Sequence, residues 1–270
     1  MKPQAWCILI FLFSLGSPLP AKAQPSALTT TAASETPMPS FGSLFMKLPS
    51  DFRRLPTVTN GIVVGSATGL ALAVHPRDRA TLDEMRELLT LEEVLDAGEP
   101  LGSGIVQAGG GLATYMVGRF SHQPEIAIVG ADLVRAQVVA GALTQGIKAA
   151  ARRDRPDGGG NSFPSGHSAA SFATASVLQR HFGWKASVPA YALATYVASS
   201  RLSENQHFLS DVVFGAGIGI VSGRSVTIGH SSHSFVVSPM VGRGSFGMGF
   251  TSLRSRGPVF RSTDRLIRPS

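Results

Sequence analysis

The sequence predicts an all-α helical body with a short β-like tail. Two observations carry that expectation. Leu82, Met85, Leu88, Leu89, Leu91, Val94 and Leu95 form an apolar stripe at helical spacing, and residues 125–153, 165–182, 185–200 and 207–221 read as further helices. Near the C-terminus the period changes: Phe246, Met248 and Phe250 alternate with Ser245, Gly247, Gly249 and Thr251, which is strand spacing.

Taken in order, residues 1–23 read as a secretory signal. Lys2 supplies the positive start, residues 5–15 an apolar run, and Ala21-Lys22-Ala23 a small-x-small cleavage site. Residues 24–40, rich in Ser, Thr, Ala and Pro, read as a flexible linker. Residues 41–54 place Phe41, Leu44, Phe45 and Leu48 at helical spacing. The helix over 81–96 is expected to start at a capping box, Thr81-Leu82-Asp83-Glu84, with its acids outward. In the long helix, Asp132 and Arg135 are three apart and able to pair. Gly215, Gly217 and Gly219 would let the last helix approach a neighbour closely. Gly242-Arg243-Gly244 is a turn before a terminal hairpin, so residues 223–253 read as a β-like tail and 254–270 as a basic, disordered end. The helical domain is then 41–222.

Composition excludes several classes. One Cys in 270 residues rules out an intrachain disulfide scaffold. With 43% hydrophobic and 15% charged residues the chain is not disordered throughout. The formal charge of +7 divides unevenly: seven arginines against Asp264 give +6 after Ser222, Lys2 and Lys22 give +2, and residues 24–222 carry −1. Basic residues are not spread over a folded face with aromatics between them, so nucleic acid is not expected as a partner.

Three clusters carry chemistry. In the first, Lys148, Arg152, Arg153 and Arg155 close the long helix, which Pro156 is expected to end. Alone, such cations do no more than complement the helix dipole. In the second, Pro164-Ser165-Gly166-His167 follows a glycine loop. Ser165 can cap a helix whose first N–H groups, at Gly166 and His167, make an anion site. Alone, it is a capped helix with a surface His. In the third, His207 and Asp211 are four apart, so on a helix they share one face, and Arg201 stands just ahead of them. Alone, it is a surface pair. Together the clusters supply cations, a helix N-terminus and two histidines, one backed by a carboxylate. Those parts bind a tetrahedral dianion, attack it and protonate a leaving oxygen. No metal-ligand set stands beside them.

The ordered set resembles the signature of the type 2 phosphatidic acid phosphatase superfamily: Lys-x6-Arg-Pro from Lys148, then Pro-Ser-Gly-His from Pro164, then Ser-Arg-x5-His-x3-Asp from Ser200. The match spans residues 100–222. The superfamily includes lipid phosphatases, bacterial acid phosphatases and vanadium-dependent haloperoxidases. The resemblance implies an all-α bundle of that type. It implies metal-independent hydrolysis of phosphate monoesters or lipid (di)phosphates through a phosphohistidine, with no cofactor. His207 would be the nucleophile, oriented by Asp211. His167 would serve as general acid and then base. Lys148, Arg155, Arg201, Ser165 and the Gly166 N–H would clamp the phosphoryl oxygens. Arg152 and Arg153 lie outside the signature and receive no catalytic role. The alternatives are a vanadium haloperoxidase and a non-enzymatic envelope protein that binds anionic lipid.

Location is read from the uncharged runs. Residues 55–74 and 101–118 are long enough to cross a bilayer, but Gly, Ser and Thr dilute them, and Asp132 and Arg135 would be costly facing lipid. The expectation is therefore an exported or periplasmic helical protein resting on a membrane. An integral inner-membrane protein is the alternative.

Overall fold

The computed structural model describes residues 37–87, 95, 97–227, 232–242 and 245–255. The expected signal and most of the expected linker lie outside the described residues, as does the basic end beyond Ser255. The helices are α1 (Ser43–Met46), α2 (Leu48–Arg53), α3 (Val58–Val74), α4 (Asp78–Glu87), α5 (Gly98–Gly102), α6 (Gly104–Phe120), α7 (Pro124–Ala151), α8 (Gly166–Phe182), α9 (Trp184–Ser203) and α10 (Leu209–Val226). A 3-10 turn, His75–Arg77, joins α3 to α4. Strands β1 (Ser232–Gly242) and β2 (Ser245–Ser255) pair antiparallel, Val237 opposite Phe250. The all-α body with a terminal hairpin is thus the fold that forms.

Helices α8 and α10 make the centre, with α3, α7 and α9 against them and α6 along α7. Glycine sets the α8–α10 distance. A Cβ on Gly219 would stand 2.3 Å from the Ala169 carbonyl oxygen, and one on Gly215 2.5 Å from that of Ser165. Only hydrogen fits there, and Ala169, Ala173, Val212, Val213 and Ala216 close the contact as buried core. The core has an apolar cluster on either side of this pair. One joins Val63 and Ala67 of α3 to Phe172, Tyr191 and Ile220; the other joins Val129, Val139 and Ala140 of α7 to Ala173 and Val177.

Several element boundaries differ from the sequence reading, among them the end of α10, which runs to Val226 into the stretch read as β-like tail. Helix α4 starts at Asp78, so Thr81 lies inside it and is no cap. Asp78 occupies the first turn instead, where a carboxylate is favoured. Helix α7 ends at Ala151, well ahead of Pro156, because Arg152 takes a left-handed conformation (φ 47°). Helix α10 starts at Leu209, so His207 precedes it rather than sharing a face with Asp211. Strand β2 runs to Ser255, into the stretch expected to be disordered.

The charges of α7 are also not where a lipid-facing reading would put them. Asp132 and Arg135 are 1% and 2% exposed and pair at 2.5 Å. Arg135 also holds Asp51 of α2 at 3.1 Å, and His181 of α8 reaches Asp132 at 2.9 Å. Burial raises the Asp51 carboxyl to about 6 against the pull of Arg135. The network faces the protein interior, so it is no obstacle to a membrane position.

Among the described residues, three helical stretches are long and apolar enough to cross a membrane: Val58–Glu84, Pro124–Ala151 and Leu209–Val226. The last is almost wholly enclosed by the other helices, whereas α3 and α6 turn large apolar side chains outward. Val58 is 84% exposed, Leu72 66%, Ile105 86% and Phe120 71%.

Candidate active site

Four helix ends meet at one end of the bundle: the C-termini of α7 and α9 and the N-termini of α8 and α10. Beside them lies a cavity of about 290 Å³ lined by Lys148, Arg155, Gly166, His167 and His207, with Gly104 of α6, Gln137, Ala140, Gly141, Thr144 and Gln145 of α7 and Ala170 of α8 completing the wall. Three sequence clusters separated by up to tens of residues thus face one space.

Each side chain has a local cause for its position. Lys148 sits in the last turn of α7, and its ammonium donates to the carbonyls of Asn161 and Ser162 in the glycine loop. Arg155 follows the left-handed break and donates to Gln206 Oε1. Its Nε is buried with no partner in the protein. Ser165 caps α8, accepting from the Ser168 N–H at 3.4 Å, and its own N–H donates to the Asp211 carbonyl at 3.0 Å. That bond ties the start of α8 to the start of α10. Gly166 and His167 then open α8, where backbone N–H groups have no helical acceptor and attract an anion.

A Cβ on Gly102 of α5 would stand 2.9 Å from the His167 ring, so glycine there leaves room for the imidazole, which bonds to the Glu99 backbone. Burial first, then the positive charge of Arg201 and the nearby His207, lowers its pKa to about 4. His207 lies in the loop ahead of α10, 3% exposed. Burial lowers its pKa too, although Asp211 opposes the shift. Its Nδ1 stands 3.6 Å from Asp211 Oδ2, an ion-pair rather than a hydrogen-bond distance. Asp211 Oδ2 already accepts from the Phe208 N–H at 2.9 Å and from Ser162 Oγ. The carboxylate therefore caps α10 and faces the histidine at once.

Of the eight residues predicted for the site, Lys148, Arg155, Gly166, His167 and His207 line the cavity. Asp211 is fully buried beside His207. Ser165 and Arg201 do not line it: Ser165 is buried as the α8 cap, and Arg201 pairs with Glu204. Sequence reasoning missed Ser162, Gln206 and Arg153, because their partners lie across loops that carry no periodic signal. Among the described residues no three His, Cys, Asp or Glu side chains gather as a metal site.

Residues 144–234 match the model of the PAP2 superfamily. The chain is 42% identical over 76 residues to a lipid A 1-phosphatase of Porphyromonas gingivalis, covering 27% of this chain and 17% of that protein. It is 28% identical over 93 residues to a lipid A 4'-phosphatase of Helicobacter pylori, covering 33% of this chain and 47% of that one. The matches thus span less than half of either curated relative. A solved structure, a transmembrane PAP2 type phosphatidylglycerolphosphate phosphatase from Bacillus subtilis, aligns over 69% of this chain and 93% of its own, with TM-score 0.49 and 21% identity.

Proposed function

We propose that the protein is a metal-independent phosphatase that hydrolyses the phosphate ester of a membrane lipid through a phosphohistidine, a reading supported by the match of residues 144–234 to the PAP2 superfamily. One observation carries the reading: Lys148, Arg155, His167 and His207 line one cavity. Their charges and nitrogens suit a phosphoryl dianion held between a nucleophile and a proton donor.

In this reading Lys148, Arg155 and the Gly166 N–H hold the phosphoryl oxygens, and Arg201 adds its field from behind the wall. The His207 nitrogen remote from Asp211 attacks phosphorus. The bond to the alcohol oxygen breaks, and His167 gives that oxygen its proton. Neutral again, His167 takes a proton from water, which attacks the phosphohistidine and releases inorganic phosphate and free His207. Asp211 stabilises the charge that builds on His207. Phosphoryl transfer depends mainly on positioning and charge, and the clustered cations supply the charge.

Two observations favour a lipid over a soluble ester. The cavity sits at one end of the bundle, where a headgroup would present its phosphate. The outward apolar residues of α3 and α6 fit an acyl surroundings better than water. We therefore read the chain as an integral membrane protein. Beyond the cations the cavity wall sets Gln137, Thr144 and Gln145 among Gly104, Ala140, Gly141 and Ala170, and those three polar side chains suit a hydroxylated headgroup. The test is an assay of detergent-purified protein on p-nitrophenyl phosphate, phosphatidic acid, phosphatidylglycerophosphate, lipid A and an isoprenyl diphosphate. Activity on at least one phospholipid or glycolipid monoester is expected, resistant to chelators, inhibited by vanadate and abolished by His207→Ala. Full activity of His207→Ala would overturn the mechanism.

A further inference from the structure

Arg153 stands outside the three signature clusters, yet it makes more contacts with the nucleophile's support than any signature cation. Its Nη1 donates to Asp211 Oδ1 at 2.7 Å and to Ser210 Oγ at 2.7 Å. Its Nη2 donates to Asp78 Oδ2 at 2.8 Å. Its guanidinium lies 4.1 Å above the Phe208 ring. Asp78 completes the arrangement: Oδ1 accepts the Ser210 N–H at 2.9 Å, Oδ2 accepts Ser210 Oγ at 2.6 Å, and His75 Nδ1 lies 3.0 Å away.

The first turn of α10 therefore holds two carboxylates, Asp78 and Asp211, 3% and 0% exposed. Arg153 is the cation bonded to both. We propose that Arg153, itself held by Asp78, is a positioning residue that fixes the rotation of Asp211 toward His207. A carboxylate turns about its last bond in a broad, two-fold well. Arg153, anchored at three further points, holds Oδ1, while the Phe208 N–H and Ser162 Oγ donate to Oδ2; with Oδ1 fixed, the carboxylate keeps the rotation in which Oδ2 faces His207 Nδ1 at 3.6 Å. A planar fork that bonds two carboxylates, one through each Nη, while stacking on a ring is what arginine provides and lysine does not. Arg153 does not line the cavity, so its effect passes through Asp211 and not through substrate.

This role rests on the phosphohistidine reading above. The test compares wild type, Arg153→Ala, Arg153→Lys and Asp78→Asn as full chains in detergent micelles, measuring kcat and KM on a lipid phosphate, vanadate inhibition and thermal unfolding. For Arg153→Ala we expect kcat to fall about 30-fold or more, as misplacement of a catalytic group does. KM and vanadate inhibition should stay within about threefold, because the phosphate-holding groups remain. Added guanidinium chloride, far below denaturing concentration, should restore part of kcat, and Arg153→Lys should fall between wild type and Ala. Asp78→Asn should lower kcat in the same direction by a smaller factor.

A folded Arg153→Ala with wild-type kcat overturns the positioning role. So does a parallel loss of vanadate affinity, which would make Arg153 a phosphate ligand. If Arg153→Ala does not fold, unchanged kcat in both Arg153→Lys and Asp78→Asn overturns it equally. A wild-type chain that hydrolyses no ester overturns the phosphatase reading and this role with it. Active wild type with an unimpaired variant overturns this role alone.

Discussion

His167 shows how one residue's surroundings set a testable pH response. Its pKa, lowered to about 4 by burial and neighbouring cations, makes it neutral in the free protein at pH 7. If it must donate a proton to the leaving alcohol, kcat/KM, which reports free-enzyme ionisations, should be highest below about 4 and decline as pH rises from there to 6.5. A flat profile over that range would remove His167 as the acid. The same shift acts on stability. Between about 4 and 6.5 the unfolded chain binds a proton here that the folded chain does not, so His167 makes the fold less stable as pH falls through that window. Wild type should therefore lose Tm relative to His167→Gln on acidification. Asp51 works in the opposite sense. Raised to about 6, it binds its proton preferentially in the fold, and its contribution weakens as pH rises from 3.8 to 6. Tm of wild type alone mixes both, and the variant comparison isolates the histidine.

Between elements, the α8–α10 approach places the site. Both helices begin at the cavity, and Gly219 and Gly215 let them close to backbone contact. Gly219→Val would drive a side chain into the Ala169 carbonyl and the Ala173 N–H, at 2.3 and 2.8 Å from its Cβ. Overpacking of this kind costs about 1–3 kcal/mol or more, and the lowered Tm should come with lost activity as the start of α8 shifts. Gly110→Ala, on α6 with nothing within 4 Å, should instead raise stability by about 0.5–1 kcal/mol, through helix propensity. Equal effects of the two substitutions would mean that the close contact does not control the bundle. The Gly215-Gly217-Gly219 spacing announced this contact in the sequence. The true start of α10 was not announced, because His207-Phe208 has no capping side chain. The cap comes from Asp211 three residues later.

For the whole molecule, the question is where the apolar surface goes. Asp132 and Arg135 argued against a bilayer when they were only letters in a helix. Inside the fold they are enclosed with Asp51 and His181, and the outward residues of α3 and α6 are apolar. An exposed apolar face of this kind is stable when lipid covers it. The chain should remain in the membrane fraction through high-salt and alkaline carbonate washes and leave it only with detergent. Release by salt alone would make it a peripheral protein held by charge.

The sequence by itself determined the helical body, the terminal hairpin and five of the residues that line the cavity, Lys148, Arg155, Gly166, His167 and His207. Those follow from local periodicity and from ordered short motifs, which need no knowledge of neighbours. Only the tertiary structure decided which charges face inward, that Ser165 and Arg201 stand off the cavity, that His207 precedes its helix, and that Arg153 reaches Asp211. Each of these depends on contacts between residues far apart in the chain, such as Asp78 with Ser210 and Arg135 with Asp51. Burial and pairing at such distances arise when helices pack, and no local pattern records them.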